Sequence, residues 1–385
     1  MARATGAGFG FGIYIHWPYC TRICPYCDFN VYAAKDRDTA PLVAAICADL
    51  EAQHARFGTC ADLDTVYFGG GTPSLIGTDG LARILETVRR LFGRPAEELT
   101  LEANPNDINT AVVADWAGLG VTRLSLGVQS LRDDALAFLG RDHSADDARR
   151  AADVALKAFP NTSIDLIYAR PGQSLTDWEA ELKEALGLGA PHLSLYELTI
   201  EERTAFGRRA ARGELVAMGD DDQADLYELT DAVCTAAGLP AYEVSNHAAG
   251  PAFESQHNHI YWASGDWIGV GPGAHGRLTR DGQRWETQAL RRPQAYIEAG
   301  GAAREAQIEA LALSRVDTVR ELIAMGLRPV KGIARARIEA LAGPLEDGVL
   351  DELESNGVVQ QLGGRIALTA RGRLLADYVT ARLAP

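Results

Sequence analysis

Short strand-like runs alternate with amphipathic helical patterns through the first half of this chain. The strand-like runs are GIYIHW, DTVYFGG, ELTLEAN, RLSLGV, TSIDLIYA and HLSLYELT. Stretches with an apolar residue every three or four positions, such as GLARILETVRRLF, lie between them. Six strands separated by five helices predict right-handed parallel crossovers, which roll a sheet into a full or partial α/β barrel. In such a fold the functional side chains lie at the carboxyl ends of the strands.

The second half of the chain departs from this alternation. We expect a barrel core in residues 1–240 and an intermediate region in residues 241–310, which contains a further strand (YEVSNHA), the motif HNHIYW and a connector over Gly276–Ala306. Residues 311–385 read as helices followed by a hairpin that turns at Gly363–Gly364. This pattern predicts a small helical, winged-helix-like domain. Its acidic and basic residues are nearly balanced, which argues against DNA binding.

The composition excludes several classes of protein. The chain has 385 residues and a net charge of -15, which argues against nucleic acid as a partner. No stretch approaches the ~20 apolar residues of a membrane span, and no secretory signal is evident, so we expect a cytoplasmic protein without membrane insertion. Six cysteines in so long a chain do not form a disulfide framework. Cys47, Cys60 and Cys234 are scattered, and we expect them to be core or surface filler.

The other three cysteines, Cys20, Cys24 and Cys27, are crowded together with the spacing C-x3-C-x2-C. A structural zinc site normally uses four protein ligands, often as two separated pairs, and no second pair follows here. Three thiolates suit a 4Fe-4S cluster in which one iron lacks a protein ligand and can bind a small molecule. Neighbouring aromatic residues would shield such a cluster: Trp17, Tyr19, Tyr26 and Phe29. Zinc, or no metal at all, remains an alternative.

The cysteine spacing, with an aromatic residue before the third cysteine, resembles the signature of the radical S-adenosylmethionine (SAM) superfamily. In that superfamily the open iron chelates the amino and carboxylate groups of SAM, and an electron from the cluster cleaves the sulfonium to give a 5′-deoxyadenosyl radical. The segment GGGTP (Gly69–Pro73) resembles the glycine motif whose backbone approaches the SAM amino group. The resemblance implies a partial (β/α)6 barrel of the TIM type that holds a 4Fe-4S cluster and SAM.

Further motifs resemble one branch of this superfamily, which contains oxygen-independent coproporphyrinogen III dehydrogenase and the HemW-type haem chaperones. They are YIHWPYC, LEANP, SLGVQS, DLIYARPGQ and LSLYELTIE, in the order of that branch. A carboxylate at a strand end can hold an ammonium group or ribose hydroxyls, and an arginine can clamp a carboxylate. The resemblance implies that nine residues bind the cofactor: Tyr14, Tyr26, Gly70, Gly71, Thr72, Glu102, Gln129, Arg141 and Asp165. The last three match residues that surround a second SAM in the dehydrogenase.

Two departures separate this chain from the dehydrogenase. The dehydrogenase has a fourth cysteine where this chain has Phe29, and it has a long segment before the motif, where this chain has thirteen residues before Tyr14. Both differences resemble the haem chaperones, as do HNHIYW (His257–Trp262) and GVGPGAHG (Gly269–Gly276). We therefore expect a haem chaperone that serves apo-haemoproteins of the respiratory chain, with a homodimer as one working form. The alternatives are oxidative decarboxylation of coproporphyrinogen III and, third, a related radical methyltransferase or haem-degrading enzyme.

Histidine is a common ligand of haem iron, and the sequence offers several candidates. His257 is the first candidate because it lies in the HNHIYW motif. A His-Asn pair beside Tyr-Trp is equally suited to bracing a loop through hydrogen bonds and packing. His16, two residues after Tyr14 on the first strand, is the second candidate, and its alternative role is a hydrogen bond within the site. No CxxCH motif is present, so covalent haem attachment of the cytochrome c type is not expected.

Overall fold

The structure is a computed structural model that describes residues 10–34, 38–57, 62–299 and 309–384. Cys60 lies outside the described residues. The amino-terminal half of the chain contains, in order, β1 (Phe11–Trp17), β2 (Tyr19–Cys20), β3 (Tyr32–Ala33), α1 (Ala40–Phe57), β4 (Thr65–Gly70), α2 (Thr78–Phe92), β5 (Glu98–Ala103), α3 (Thr110–Leu119), β6 (Arg123–Gln129), α4 (Asp133–Phe138), α5 (Ala145–Ala158), β7 (Thr162–Tyr168), α6 (Leu175–Gly187) and β8 (His192–Glu197).

Six strands of this half lie side by side in chain order, β1-β4-β5-β6-β7-β8, and every neighbouring pair is parallel. Parallel strands need crossover connections, and here helices supply them. The strands follow one another in the sheet in the same order as in the sequence, and helices join them. This arrangement is the partial (β/α)6 barrel that the sequence predicted. All six strands therefore end at the same rim.

The helices cover the outer face of this sheet with apolar side chains. In α2, Leu81, Ile84, Leu85 and Val88 are buried, and their spacing of three and four residues places them on one side of the helix. They belong to the same hydrophobic cluster as Ile13 of β1. Because side chains alternate along a strand, residues between such outward positions face the barrel interior. The inner face is polar and aromatic, with Tyr14, His16, Tyr67, Glu102, Ser125, Ser163, Asp165 and Ser194.

The middle of the chain extends both ends of the sheet. It contains α7 (Ala205–Ala211), α8 (Asp220–Ala236), β9 (Asn246–Ala248), α9 (Gln256–Trp262), β10 (Asp266–Val270), β11 (His275–Arg280), β12 (Gln283–Gln288), α10 (Pro293–Glu298) and β13 (Glu309–Ala312). The further strand expected in YEVSNHA is present as β9, which pairs antiparallel with β8. At the other end, β10 pairs parallel with β1, and β11, β12 and β13 continue the sheet antiparallel.

The expected connector over Gly276–Ala306 is wrong for its described part, residues 276–299. Strands β11 and β12 form an antiparallel hairpin there, and α10 follows it. The hairpin turns at Asp281 and Gly282, whose φ values of 52° and 77° suit a tight two-residue turn. Asp-Gly between two strand-like runs is a strong hairpin signal, so Asp281–Gly282 already predicts this hairpin from the sequence.

The carboxyl-terminal region has its own core and sheet. It contains α11 (Arg315–Gly326), β14 (Ile333–Ala334), α12 (Arg335–Ala342), α13 (Asp347–Ser355), β15 (Val359–Leu362), β16 (Arg365–Leu368), α14 (Ala370–Leu374) and α15 (Ala376–Leu383). Strands β15 and β16 form the predicted hairpin, and Gly363 and Gly364 at its turn have φ values of 57° and 76°. Three helices followed by this hairpin give the winged-helix-like arrangement expected from the sequence.

None of the helices in the described part of the chain combines the length and the apolar character that crossing a lipid bilayer requires.

Candidate functional site

A cavity of about 470 Å³ opens at the rim where the parallel strands end. This volume lies in the range of about 300–1,000 Å³ that is typical of sites for small ligands. The structure brings together at this cavity every residue predicted for the cluster or the cofactor except Tyr14. These residues are Cys20, Cys24, Tyr26, Cys27, Gly70, Gly71, Thr72, Glu102, Gln129, Arg141 and Asp165.

The three cysteines lie in one short segment, residues 20–33, whose ends are fastened together. Cys20 lies in β2, which pairs parallel with β3 and places Cys20 opposite Ala33. The loop between these two strands carries the other two cysteines, and a turn in which the Cys27 amide donates to the Cys24 carbonyl oxygen (3.2 Å) brings them close. All three thiols line the cavity, so a short stretch of sequence forms one wall of it.

Asn30 braces the far end of this loop. Its side-chain amide donates to the carbonyl oxygens of Pro272 and Arg291, both at 2.8 Å. Its own carbonyl oxygen lies 3.0 Å from Nε2 of His16. A Cβ atom on Gly273 would lie 2.5 Å from the Asn30 amide, so that glycine is required for the close approach. The GVGPGAHG motif therefore supports the cysteine loop from outside.

Among the described residues, no group of three or more Cys, His, Asp or Glu side chains is placed to share one metal ion. A single zinc ion needs its ligands around one point. A cubane cluster takes each thiolate on a different iron, so its three cysteines stand further apart. Burial raises the pKa of Cys27 to about 11 and also raises the pKa of Cys20. Iron must therefore displace protons from these thiols when it binds.

The glycine segment after β4 lies directly against the base of the cysteine loop. The Gly71 amide donates to the carbonyl oxygen of Trp17 at 2.7 Å, and a Cβ on Gly71 would lie 2.9 Å from the sulfur of Cys20. Gly70 has a φ of 112°, which side chains disfavour. Its amide donates to Oε2 of Glu102 at 3.1 Å. The segment thus leaves backbone, rather than side chains, facing the cavity.

Glu102 at the end of β5 holds a carboxylate on the cavity wall. Burial raises its pKa to about 7, and the hydrogen bond from the Tyr67 hydroxyl (2.8 Å) opposes that rise. Asp165 of β7 is the second carboxylate, and it accepts from the hydroxyls of Ser125 (2.7 Å) and Ser163 (2.8 Å). Burial raises the pKa of Asp165 as well. Two partly desolvated carboxylates on one wall are suited to binding a cationic group or hydroxyls of a ligand.

Arg141 and Gln129 form a further part of the cavity wall. The Arg141 guanidinium donates to the carbonyl oxygen of Gly127 at 3.0 Å and lies 3.4 Å from the Cys24 sulfur. Its Nε is buried without a hydrogen-bond partner. Gln129 follows a bulge in β6 and has a φ of 65°, which turns its side chain at the cavity.

Sequence reasoning missed Asn104, which connects two of the predicted residues. Its side chain donates to Oγ1 of Thr72 at 3.1 Å and accepts from Arg141 at 2.5 Å. It follows Glu102 by two residues, within the motif LEANP, so alternation along the strand was an available signal. Tyr67 was missed too, although it lies on an inward position of β4.

Three predicted residues lie away from the cavity wall. The Tyr14 hydroxyl lies 3.1 Å from Nδ1 of His16, and its ring packs beside Tyr67. His16 is buried and uses both ring nitrogens, because its Nε2 contacts Asn30. His257 is buried and also uses both nitrogens. For both histidines the geometry favours bracing over contact with haem. Of the expected filler cysteines, Cys47 and Cys234 are buried in helices.

Comparison with known proteins identifies the class of this chain. Residues 14–185 match the Radical SAM superfamily, and residues 313–375 match the HemN C-terminal domain. The structure of coproporphyrinogen III oxidase (HemN) from Escherichia coli superimposes with a TM-score of 0.81 over 99% of this chain and 91% of that one. Their sequence identity of 21% means that this likeness shows the fold alone. The chain is a radical SAM protein.

Relatives with similarity along the whole chain narrow the family further. Heme chaperone HemW of Mycobacterium tuberculosis is 40% identical over 380 residues, which cover 97% of this chain and 94% of the relative. Heme chaperone HemW of Escherichia coli is 35% identical over 375 residues, which cover 95% and 96%. The chain therefore belongs to the HemW family, and the resemblance inferred from its motifs is confirmed.

Proposed function

We propose that this protein is a haem chaperone that holds a 4Fe-4S cluster and SAM, binds haem and delivers it to haemoproteins such as respiratory enzymes. The observation that carries this proposal is the 40% identity to a heme chaperone along nearly the whole chain. Phe29 supports it, because the dehydrogenase branch has a fourth cysteine at this position. Phe29 is 64% exposed at the cavity mouth. The proposal places the protein in the cytoplasm, with a homodimer as one working form.

Cys20, Cys24 and Cys27 would hold the cluster, which supplies an electron for SAM cleavage when it is reduced. The fit rests on the donor set, since three thiols share one braced loop on a cavity wall. Of the aromatic residues expected to shield the cluster, Phe29 is too exposed to do so. Tyr26 packs beside Phe206 with ring centroids 6.5 Å apart.

The glycine segment and the two carboxylates, which line one cavity, would hold SAM. Gly70, Gly71 and Thr72 line the cavity, and Glu102 offers an acceptor for cationic or hydroxyl groups. Asp165, Gln129 and Arg141 would take a further part of the nucleoside or a second SAM. We assign Tyr14 an indirect role in this proposal, because it packs beside Tyr67 and does not line the cavity.

The proposal is tested by giving anaerobically reconstituted protein haem in one experiment, and SAM, a reductant and coproporphyrinogen III in another. A Soret band at a fixed haem-to-protein ratio, followed by transfer to an apo-haemoprotein, is the expected result, with no vinyl product. Vinyl product without fixed-ratio haem binding would favour the dehydrogenase instead. Replacing Cys20, Cys24 or Cys27 by Ser should remove the visible absorption of the reconstituted cluster, because each loses a thiolate ligand. Cys47→Ser, at a buried position of α1 away from the loop, is the matched control.

A further inference from the structure

Helix α9, which carries the HNHIYW motif, closes the barrel at the end opposite the cavity. The imidazole Nδ1 of His257 lies 2.6 Å from the hydroxyl of Thr65, the first residue of β4. The amide of His257 donates at 3.0 Å to Glu98, the first residue of β5. Parallel strands start at the same end of a sheet, so both contacts place His257 at the amino-terminal floor of the barrel.

The floor is fitted closely around this histidine. A Cβ atom on Gly12 of β1 would lie 3.2 Å from Cε1 of His257 and 2.8 Å from the Thr65 hydroxyl. Nε2 of His257 lies 2.6 Å from the Tyr261 hydroxyl. Both ring partners are hydroxyl groups, which can donate or accept, so a neutral imidazole is satisfied in either tautomer. Burial lowers the pKa of His257 to about 3, which keeps the ring neutral.

A ladder of rings connects this floor to the cavity wall. The His257 ring stacks on the ring of Tyr67, with centroids 5.0 Å apart and planes 27° apart. Tyr14 packs against both rings, at 6.1 Å from Tyr67 and 6.4 Å from His257. The Tyr67 hydroxyl then donates to Glu102 at 2.8 Å. Gly69 leaves room for the contact between Tyr67 and Glu102, because a Cβ atom on Gly69 would lie 3.0 Å from Oε1 of Glu102 and 2.9 Å from Cε1 of Tyr67.

From this geometry we propose that His257 is a positioning residue, which fixes the Tyr67 ring and through it the Glu102 carboxylate at the SAM site. This proposal depends on the proposed function in one respect, namely that SAM is the ligand that Glu102 binds. It differs from a haem-binding role for the motif, because a ligand of haem iron needs a ring nitrogen without another partner. Both nitrogens of His257 are engaged, and the ring lies below the cavity.

The test compares two ligands on the same variants of the reconstituted protein. His257→Phe keeps an aromatic ring but loses both hydrogen bonds, and Tyr67→Phe keeps the ring but loses the bond to Glu102. We expect Tyr67→Phe to bind SAM roughly tenfold or more weakly, the usual cost of losing a hydrogen bond to a charged group. His257→Phe loses two bonds to neutral hydroxyls and should weaken SAM binding in the same direction, through the Tyr67 ring. Haem stoichiometry and cluster absorption should stay at the wild-type level. His259→Gln is the matched control, since His259 lies on the same helix but bonds to Glu254 and makes no contact with Tyr67 or Glu102.

The SAM and haem measurements separate the possible outcomes. Loss of haem by His257→Phe with wild-type SAM affinity would overturn the positioning role. If His257→Phe does not fold, Tyr67→Phe still decides, because unchanged SAM affinity in that variant also overturns the proposal. The double variant should lose little more SAM affinity than either single one, since both act on one ladder. Failure of the wild type to bind haem would reject the chaperone function but leave the comparison of SAM affinities intact.

Discussion

The guanidinium Nη1 of Arg141 lies 3.4 Å from the sulfur of Cys24, the middle cysteine of the loop. Hydrogen bonds to the Gly127 carbonyl oxygen and the Asn104 side chain hold the guanidinium in this place. The contact joins the start of the chain to the segment after α4, 117 residues later. A fixed positive charge beside a cluster ligand stabilises added negative charge on that cluster.

Arg141→Gln should therefore make the reconstituted cluster harder to reduce, by an amount on the order of tens of millivolts. The measurement is a redox titration followed by electron paramagnetic resonance, without SAM, so that the cofactor contributes nothing to the shift. Arg22→Gln is the control, because Arg22 lies in the same loop but is exposed, and solvent and salt screen its charge. Equal potentials for wild type and Arg141→Gln would contradict the assignment of this contact.

The glycine segment predicts a contrast between two alanine substitutions. A Cβ on Gly71 would lie 2.7 Å from the carbonyl oxygen of Tyr19 and 2.9 Å from the Cys20 sulfur, both in β2. Gly71→Ala should displace the base of the cysteine loop, lower stability by about 1–3 kcal/mol, and reduce iron content. Gly118→Ala in α3 has open space around it and should be neutral or slightly stabilising. Urea unfolding measures the stability of the two variants, and iron analysis measures their cluster content. Equal iron content in Gly71→Ala and Gly118→Ala would contradict the role assigned to Gly71.

The motif residues could be placed from sequence because a parallel barrel brings all strand ends to one rim, as Glu102 and Asp165 illustrate. The sequence did not predict which of the inward-facing side chains reach the cavity. Tyr14 alternates inward as expected, but of this residue and its strand partner Tyr67 only Tyr67 lines the cavity. The position of His257 depends on α9 crossing to the amino-terminal end of the barrel, and residue spacing carries no signal of that path. Asn30 is a single polar residue in a loop, so its bracing bonds to residues 272 and 291 appear only in three dimensions.

SAM affinity should depend on pH through Glu102, whose pKa burial raises to about 7. The ionised carboxylate attracts the positive groups of SAM, so affinity should fall as the pH drops below about 7, by up to roughly tenfold per pH unit. The other titratable groups that face Glu102 are Tyr14, Tyr67, Tyr196, Tyr261, Asp165 and Cys20. The four tyrosines have pKa values raised above their usual range, so they keep their protons between pH 6 and 8.

Calorimetric titrations of SAM between pH 6 and 8 test this dependence. Glu102→Gln should bind SAM more weakly at pH 8 and should lose the fall in affinity between pH 7 and pH 6. Asp165→Asn separates the second carboxylate, because its pKa is raised as well. An unchanged slope in Glu102→Gln, with a flat profile in Asp165→Asn, would assign the titration to Asp165 instead.

The carboxyl-terminal domain is anchored to the barrel through a buried carboxylate. Glu243 is fully buried just before β9 and accepts from the Ser245 amide (2.6 Å), the Asn246 side chain (2.7 Å) and Nη2 of Arg328 (3.1 Å). Arg328 follows α11, so this ion pair crosses between the two parts of the chain. Nearby, the Val330 amide donates to the Tyr242 carbonyl oxygen at 3.0 Å.

Arg328→Ala should lower the free energy of unfolding by about 1–3 kcal/mol, because it leaves the buried Glu243 carboxylate with neutral donors only. Arg328 is itself partly exposed, so the lower part of this range is expected. Glu243→Gln removes the buried negative charge that the Arg328 guanidinium neutralises. The double variant should therefore lose less unfolding free energy than the sum of the losses in the two single variants. Urea denaturation measures all three, and strictly additive losses would mean that the pair contributes nothing to domain docking.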